Sequence, residues 1–199
     1  MRLSWVVVFV LSAAAARAQD SDDYTRYELL APETAQFRIV YEVTATTPGA
    51  LFYFNPIRKG SEASDEAVYD RASGKPLRFE VVDGAAARAA GETRADLDMR
   101  YIKVELPRPV PKSGELRLRI DKTYRDPKSY FVEGERVVFS RSLGVRRNAV
   151  VLPAGYELVA CNVPAQVLSE ADGRIKVSFM TPGPDEIAVL ITAKKRIKG

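Results

Sequence analysis

Along most of this chain apolar and polar residues alternate with a period of two, the mark of strands that bury one face. The clearest run is 36–46, where Phe37, Ile39, Tyr41 and Val43 fall on one side and Arg38, Glu42 and Thr44 on the other, before Thr47, Pro48 and Gly49 end it. Residues 50–55 follow as a strand apolar on both faces through Leu51, Phe52, Tyr53 and Phe54, which predicts a central place in a sheet; 56–64 reads as a polar loop. Strands at 67–71 and 76–82 flank Ser73, Gly74 and Lys75, a hairpin signal because glycine accepts the positive φ of a tight turn. Residues 85–90 predict one helical turn or an ordered loop. Strands at 100–106 and 115–123 are joined by the proline-rich link 107–114, which cannot extend a ladder.

Further strands are expected at 136–140, 149–152 and 156–162, then a hairpin of 167–169 with 174–179 across Asp172 and Gly173, and a final strand at 186–193. About eleven or twelve short strands, with turn signals roughly every 8 to 12 residues, predict an all-β fold: an antiparallel β-sandwich or a saddle-like pair of sheets. The lack of long helical periods excludes a parallel α/β architecture.

The first 18 residues break this pattern. Arg2 precedes an apolar run from Trp5 to Ala16, and Ala16, Arg17 and Ala18 form an Ala-x-Ala site, so residues 1–18 read as a signal peptide cleaved between Ala18 and Gln19. The expected location is secreted or periplasmic. Residues 19–23, with Asp20, Asp22 and Asp23, read as a flexible acidic leader, 24–193 as a single β-sandwich domain, and 194–199 as a basic tail. No later segment is apolar enough to predict a transmembrane span in the mature chain.

Composition narrows the chemistry. With 46% hydrophobic and 28% charged residues the chain has an ordinary globular balance. Its net charge of +4 includes Arg2 and Arg17 of the leader, so what remains is too weakly basic for nucleic acid. The sequence contains no histidine, which removes Ser-His-Asp, Cys-His and His-ligated zinc sites. The single cysteine, Cys161, excludes an internal disulfide and reads as a buried small hydrophobe. No calcium loop or phosphate loop is present, and no cofactor is expected.

Paired carboxylates remain the one classical catalytic option, at Asp65 with Glu66, Asp96 with Asp98, and Asp185 with Glu186. All lie in hydrophilic stretches, so solvated loop charges are the plainer reading. Two groups are candidates for holding a partner. Tyr124, Tyr130 and Phe131 surround a polar connection, where stacking on a partner competes with capping of the core. Arg141, Arg146 and Arg147 bracket Ser142, Leu143 and Gly144, and their guanidiniums are suited to grip a carboxylate or phosphate, with surface ion pairing as the alternative.

Short motifs add a family likeness. Tyr27, Leu29, Pro32, Thr34 and Phe37 match an opening strand and step; Gly74, Pro76 and Leu77 match a hairpin; Tyr124, Asp126, Pro127, Ser129 and Tyr130 match a link; and Leu152, Pro153, Gly155 and Tyr156 match a turn. Together they resemble the N-terminal β-domain of secreted zinc aminopeptidases of the glycyl-aminopeptidase and leukotriene-hydrolase-like kind. In that family the His-Glu-x-x-His zinc site lies in a following helical domain, and this sequence carries no counterpart of it. The resemblance therefore implies a stand-alone accessory or binding module. The expectation is a non-enzymatic module that binds a protein, peptide or envelope component. The alternatives are an assembly subunit that pairs through sheet edges and a carboxylate-dependent enzyme acting on glycans.

Overall fold

A computed structural model describes residues 22–181 and 185–197; the signal segment lies outside the described residues. The chain is all-β. Its strands are β1 (Tyr24–Leu29), β2 (Gln36–Ala45), β3 (Phe52–Ile57), β4 (Glu62–Asp70), β5 (Phe79–Asp83), β6 (Arg100–Glu105) and β7 (Leu116–Arg125). They continue as β8 (Tyr130–Glu133), β9 (Arg136–Leu143), β10 (Arg147–Val151), β11 (Tyr156–Cys161), β12 (Gln166–Ser169), β13 (Ile175–Met180) and β14 (Ile187–Lys195). The α-helix α1 (Gly84–Ala89) is capped by Asp83, whose carboxylate accepts from the Ala86 amide at 2.7 Å, and Pro32–Thr34 forms a short 3-10 turn.

The strands form three sheets, none closed into a barrel: a seven-stranded sheet in the order β12-β13-β10-β1-β2-β7-β4, a four-stranded sheet β11-β14-β9-β8, and a three-stranded sheet β3-β6-β5. Pairing is antiparallel except between β1 and β10, which run parallel with Tyr27 beside Val150. One core draws on all three sheets, from Tyr27, Phe37 and Leu118 of the first to Phe139 and Ile191 of the second and Ile57 and Val104 of the third. Tyr27, Phe37, Tyr124 and Phe139 meet there at tilted and edge-to-face angles, with centroids 5.4–6.1 Å apart. The opposite face of the large sheet carries ion pairs instead, among them Arg26 with Glu170 and Arg38 with Asp121. This is the alternation of β1, β2 and β7 made visible.

Several sequence expectations change: the polar loop of 56–64 shrinks to 58–61 between β3 and β4, and Tyr130 and Phe131 lie on a strand, β8, rather than in a connection. β3 is not central: it forms one edge of the small sheet. Its two apolar faces are both covered, because Ile57 joins the main core while Phe54 packs on a second cluster of Ala87, Ala95 and Tyr101. The expected 67–82 hairpin is short: the Asp70 amide donates to the Lys75 carbonyl at 2.9 Å and the Leu77 amide to the Val68 carbonyl at 2.8 Å around the Tyr69–Pro76 bridge, but the main ladders are elsewhere, β4 with β7 and β5 with β6. Asp22 and Asp23 are anchored rather than loose, Asp22 by Arg147 at 2.8 Å and Asp23 by the Thr44 amide at 3.0 Å. Cys161 is half-buried at the end of β11, with its Sγ 3.4 Å from the Val163 carbonyl oxygen.

Candidate functional site

Where the three sheets meet, the inner face of the large sheet is left partly uncovered. Alternation turns Thr25 and Tyr27 of β1, Ile39 and Tyr41 of β2, and Lys122 and Tyr124 of β7 toward the same side, and their registers place them in one row: Thr25 opposite Tyr41, Tyr27 opposite Ile39, Ile39 opposite Lys122. β3 covers this row with Tyr53 and Asn55, Arg58 follows it, and the end of β9 with the start of the β9–β10 connection closes the far side through residues 142–145. The result is a cavity of about 400 Å³, with Met99 and Glu186 also in its wall. Such a volume lies at the lower end of the range for small-ligand sites.

Lys122 is the chemically distinctive group on this wall. Its residue is only 4% exposed, and its Nζ donates to the Asn55 Oδ1 at 2.6 Å, a neutral partner. The ammonium also sits 4.9 Å from the Tyr124 ring centroid. Among the described residues no carboxylate pairs with it. Burial, reinforced by the nearby Arg141 charge and only weakly opposed by Glu66, pushes its pKa down to about 7. Around it, burial raises the phenols of Tyr27, Tyr41, Tyr53 and Tyr124, which therefore stay protonated donors at neutral pH. The Tyr124 hydroxyl accepts from the Arg58 amide at 3.2 Å, and Tyr41 donates to Asp23 at 3.3 Å.

Arg141 stands beside this group but is already engaged. Its Nη1 donates to the Asp126 Oδ2 at 2.9 Å and the Ser129 Oγ at 3.2 Å, and its guanidinium lies over the Phe37 and Tyr124 rings. Asp126 further accepts from Ser61 and Ser129 hydroxyls and from the Lys128 and Ser129 amides. Burial pushes Asp126 up, but these hydrogen bonds and the Arg141 charge outweigh it and leave the carboxyl below its ordinary range. The same burial holds Arg141 below the usual guanidinium range.

The six residues singled out in the sequence thus separate. Tyr124 and Tyr130 are buried, so neither offers an open stacking face; Tyr130 is a core residue whose hydroxyl donates to the Leu30 carbonyl at 2.9 Å. Phe131 is half-buried on β8 opposite Val138. Arg141 points into the core, whereas Arg147 projects near Tyr24 and holds Asp22, and Arg146 is exposed. The three arginines do not form one grip. Tyr124 and Arg141 alone belong to the cavity. Of the carboxylate pairs only Glu186 reaches its wall, without Asp185. Among the described residues no three metal-ligating side chains gather.

Lys122 was not singled out, although its signal is present: Leu116, Leu118 and Ile120 define the inward face of β7, and Lys122 is the next residue on that face. A lysine continuing an apolar alternation is either tolerated at a strand end or held for a purpose.

No protein-family model matches the sequence, and no curated protein aligns with it. The fold has solved counterparts. An M1 zinc metallopeptidase from Deinococcus radiodurans superposes with a TM-score of 0.53 at 11% identity, over 86% of this chain and 41% of that one. A mutant of that enzyme bound to a Tyr-Ser-Ala substrate gives 0.52 at 12% identity, and a two-domain mutant bound to L-tryptophan gives 0.51 at 12%, with the same coverage. The chain thus spans well under half the length of these metallopeptidases. At this identity the likeness is one of fold: the all-β architecture read from the alternation is shared with part of an M1 zinc metallopeptidase, in keeping with the aminopeptidase-domain likeness of the short motifs.

Proposed function

We propose that the chain is an exported, non-enzymatic β module that binds a protein, peptide or envelope component, and that the cavity at the sheet junction holds its partner. The observation that carries this reading is Lys122, an amine buried on an open cavity wall with only a neutral hydrogen-bond partner. A stable core has little reason to keep such a group, since burying an unpaired charge is unfavourable. The absence of histidine from the whole sequence supports a binder over a hydrolase. The Ala-x-Ala leader supports export, with the mature chain starting at Gln19.

A second reading has its own observation. β12 ends the seven-stranded sheet, all four of its residues are exposed, and Val167 and Leu168 are 50% and 38% exposed, so this edge is available for strand pairing. The two readings separate in a capture experiment from the native envelope using the wild-type chain, Lys122→Met and Val167→Lys. The cavity reading expects retained material to be lost with Lys122→Met and kept with Val167→Lys. Retention that survives Lys122→Met and fails with Val167→Lys assigns the contact to the sheet edge.

A further inference from the structure

We infer that the junction cavity receives a carboxylate on a slender stem, with the Lys122 ammonium as its ion-pairing partner and the Tyr124 hydroxyl as a second donor. This rests on the cavity being the contact site and names the chemistry it selects. An ammonium has three protons to donate. One of those on Lys122 goes to Asn55 at 2.6 Å, and among the described residues no protein acceptor takes the others. The Tyr124 oxygen accepts the Arg58 amide, so its own proton is likewise available. Two ammonium protons and one phenol proton, close enough for the ammonium to lie 4.9 Å from the Tyr124 ring, match the several lone pairs of one carboxylate.

Charge on the wall selects the same ligand. The cavity is lined by Arg58, Lys122 and Arg141 against Glu186. Asp126 neutralises Arg141 at 2.9 Å, and Arg58 spends one guanidinium nitrogen on the Ser142 carbonyl at 3.0 Å. That carbonyl is neutral and Arg58 is exposed to solvent, so Lys122 is the one buried cation of the wall with no carboxylate partner among the described residues, which suits a singly charged anion better than a phosphate dianion. The remaining wall is aromatic and aliphatic, through Tyr27, Ile39, Tyr53 and Leu143, and accepts an apolar stem. The depressed Lys122 pKa is the counterpart of this arrangement, since an arriving carboxylate restores the ammonium.

Carboxylates come free or as the end or side chain of a peptide, and the experiment distinguishes them. The full chain labelled with ¹³C-lysine is titrated with butyrate, butyramide, inorganic phosphate, and a short peptide with either a free or an amidated C terminus, following the Lys122 resonance. The expectation is a saturable shift with butyrate or the free-ended peptide, weaker by at least about tenfold for the matching amide. Lys122→Met abolishes it in calorimetry, and Tyr124→Phe, which keeps the ring, weakens it about three- to tenfold. Equal binding of acid and amide, tighter binding of phosphate, or no saturable shift with any carboxylate overturns the inference. Butyrate binding with no peptide binding upholds the ligand class but makes the occupant a free acid, against the contact-module reading. Partner capture that depends on Lys122 while acid and amide bind alike does the reverse.

Discussion

At the scale of single residues, two buried cations on strands of different sheets, β7 and β9, play opposite parts. Arg141 is satisfied: Asp126, Ser129 and two aromatic rings surround it, so it ties β9 to the link after β7. Removing it strands a buried carboxylate, and Arg141→Met is expected to lose about 3–5 kcal/mol in denaturant unfolding. Lys122 is unsatisfied, and its substitution should act in the other direction. Its folded pKa lies below the unfolded value of 10.5, so the folded state binds fewer protons between about pH 7 and 10.5, and its unfavourable contribution is full below that window and fades as pH rises through it. The phenols facing it from β1, β2, β3 and β7 are all raised and remain neutral across most of that range. Lys122→Met should therefore be more stable than wild type at pH 6, on the order of 2 to 4 kcal/mol, with the gap narrowing toward pH 10. A gap that widens with pH in matched urea titrations contradicts the placement of this amine.

At the scale of elements, alternation makes β2, β7 and β13 legible because each sends apolar residues to the core at every second position. It misled at β3, where apolar residues on both faces meant cover on both faces and not a central position. It also linked 67–71 to 76–82 by their tight turn, when the longer ladders β4·β7 and β5·β6 pull the two strands into different sheets. Turn chemistry carries only local information, whereas sheet membership is decided by distant partners; the parallel β1·β10 pair is the extreme case. The aromatic and arginine candidates fail to assemble for the same reason, since Tyr124 and Tyr130 lie on β7 and β8, and Arg141 and Arg147 on β9 and β10, each pair split between two sheets. α1 offers a test of its supporting loop. A Cβ on Gly84 would overlap the backbone carbonyl of Asp96, so Gly84→Ala must displace the 84–99 segment. Hydrogen exchange should then rise in residues 84–99 while β2 and β7 keep their protection; unchanged exchange in 84–99 would show that the close approach is absent.

At the scale of the molecule, three sheets share one core, and the gap where all of them meet is where the buried amine lies. The fold is shared with a part of M1 zinc metallopeptidases, while the junction cavity is described by this chain's own residues. The central claim is that partners are held at this junction and not along the β12 edge. Its most direct measurement is site-specific photo-crosslinking in the cell that makes the protein, with a photoreactive side chain replacing Met99 on the cavity wall or Leu168 on the edge strand. A partner held at the junction gives an adduct from position 99 that disappears when Lys122→Met is added, and none from position 168. Adducts formed at position 168 alone, or a position-99 adduct indifferent to Lys122→Met, would contradict it.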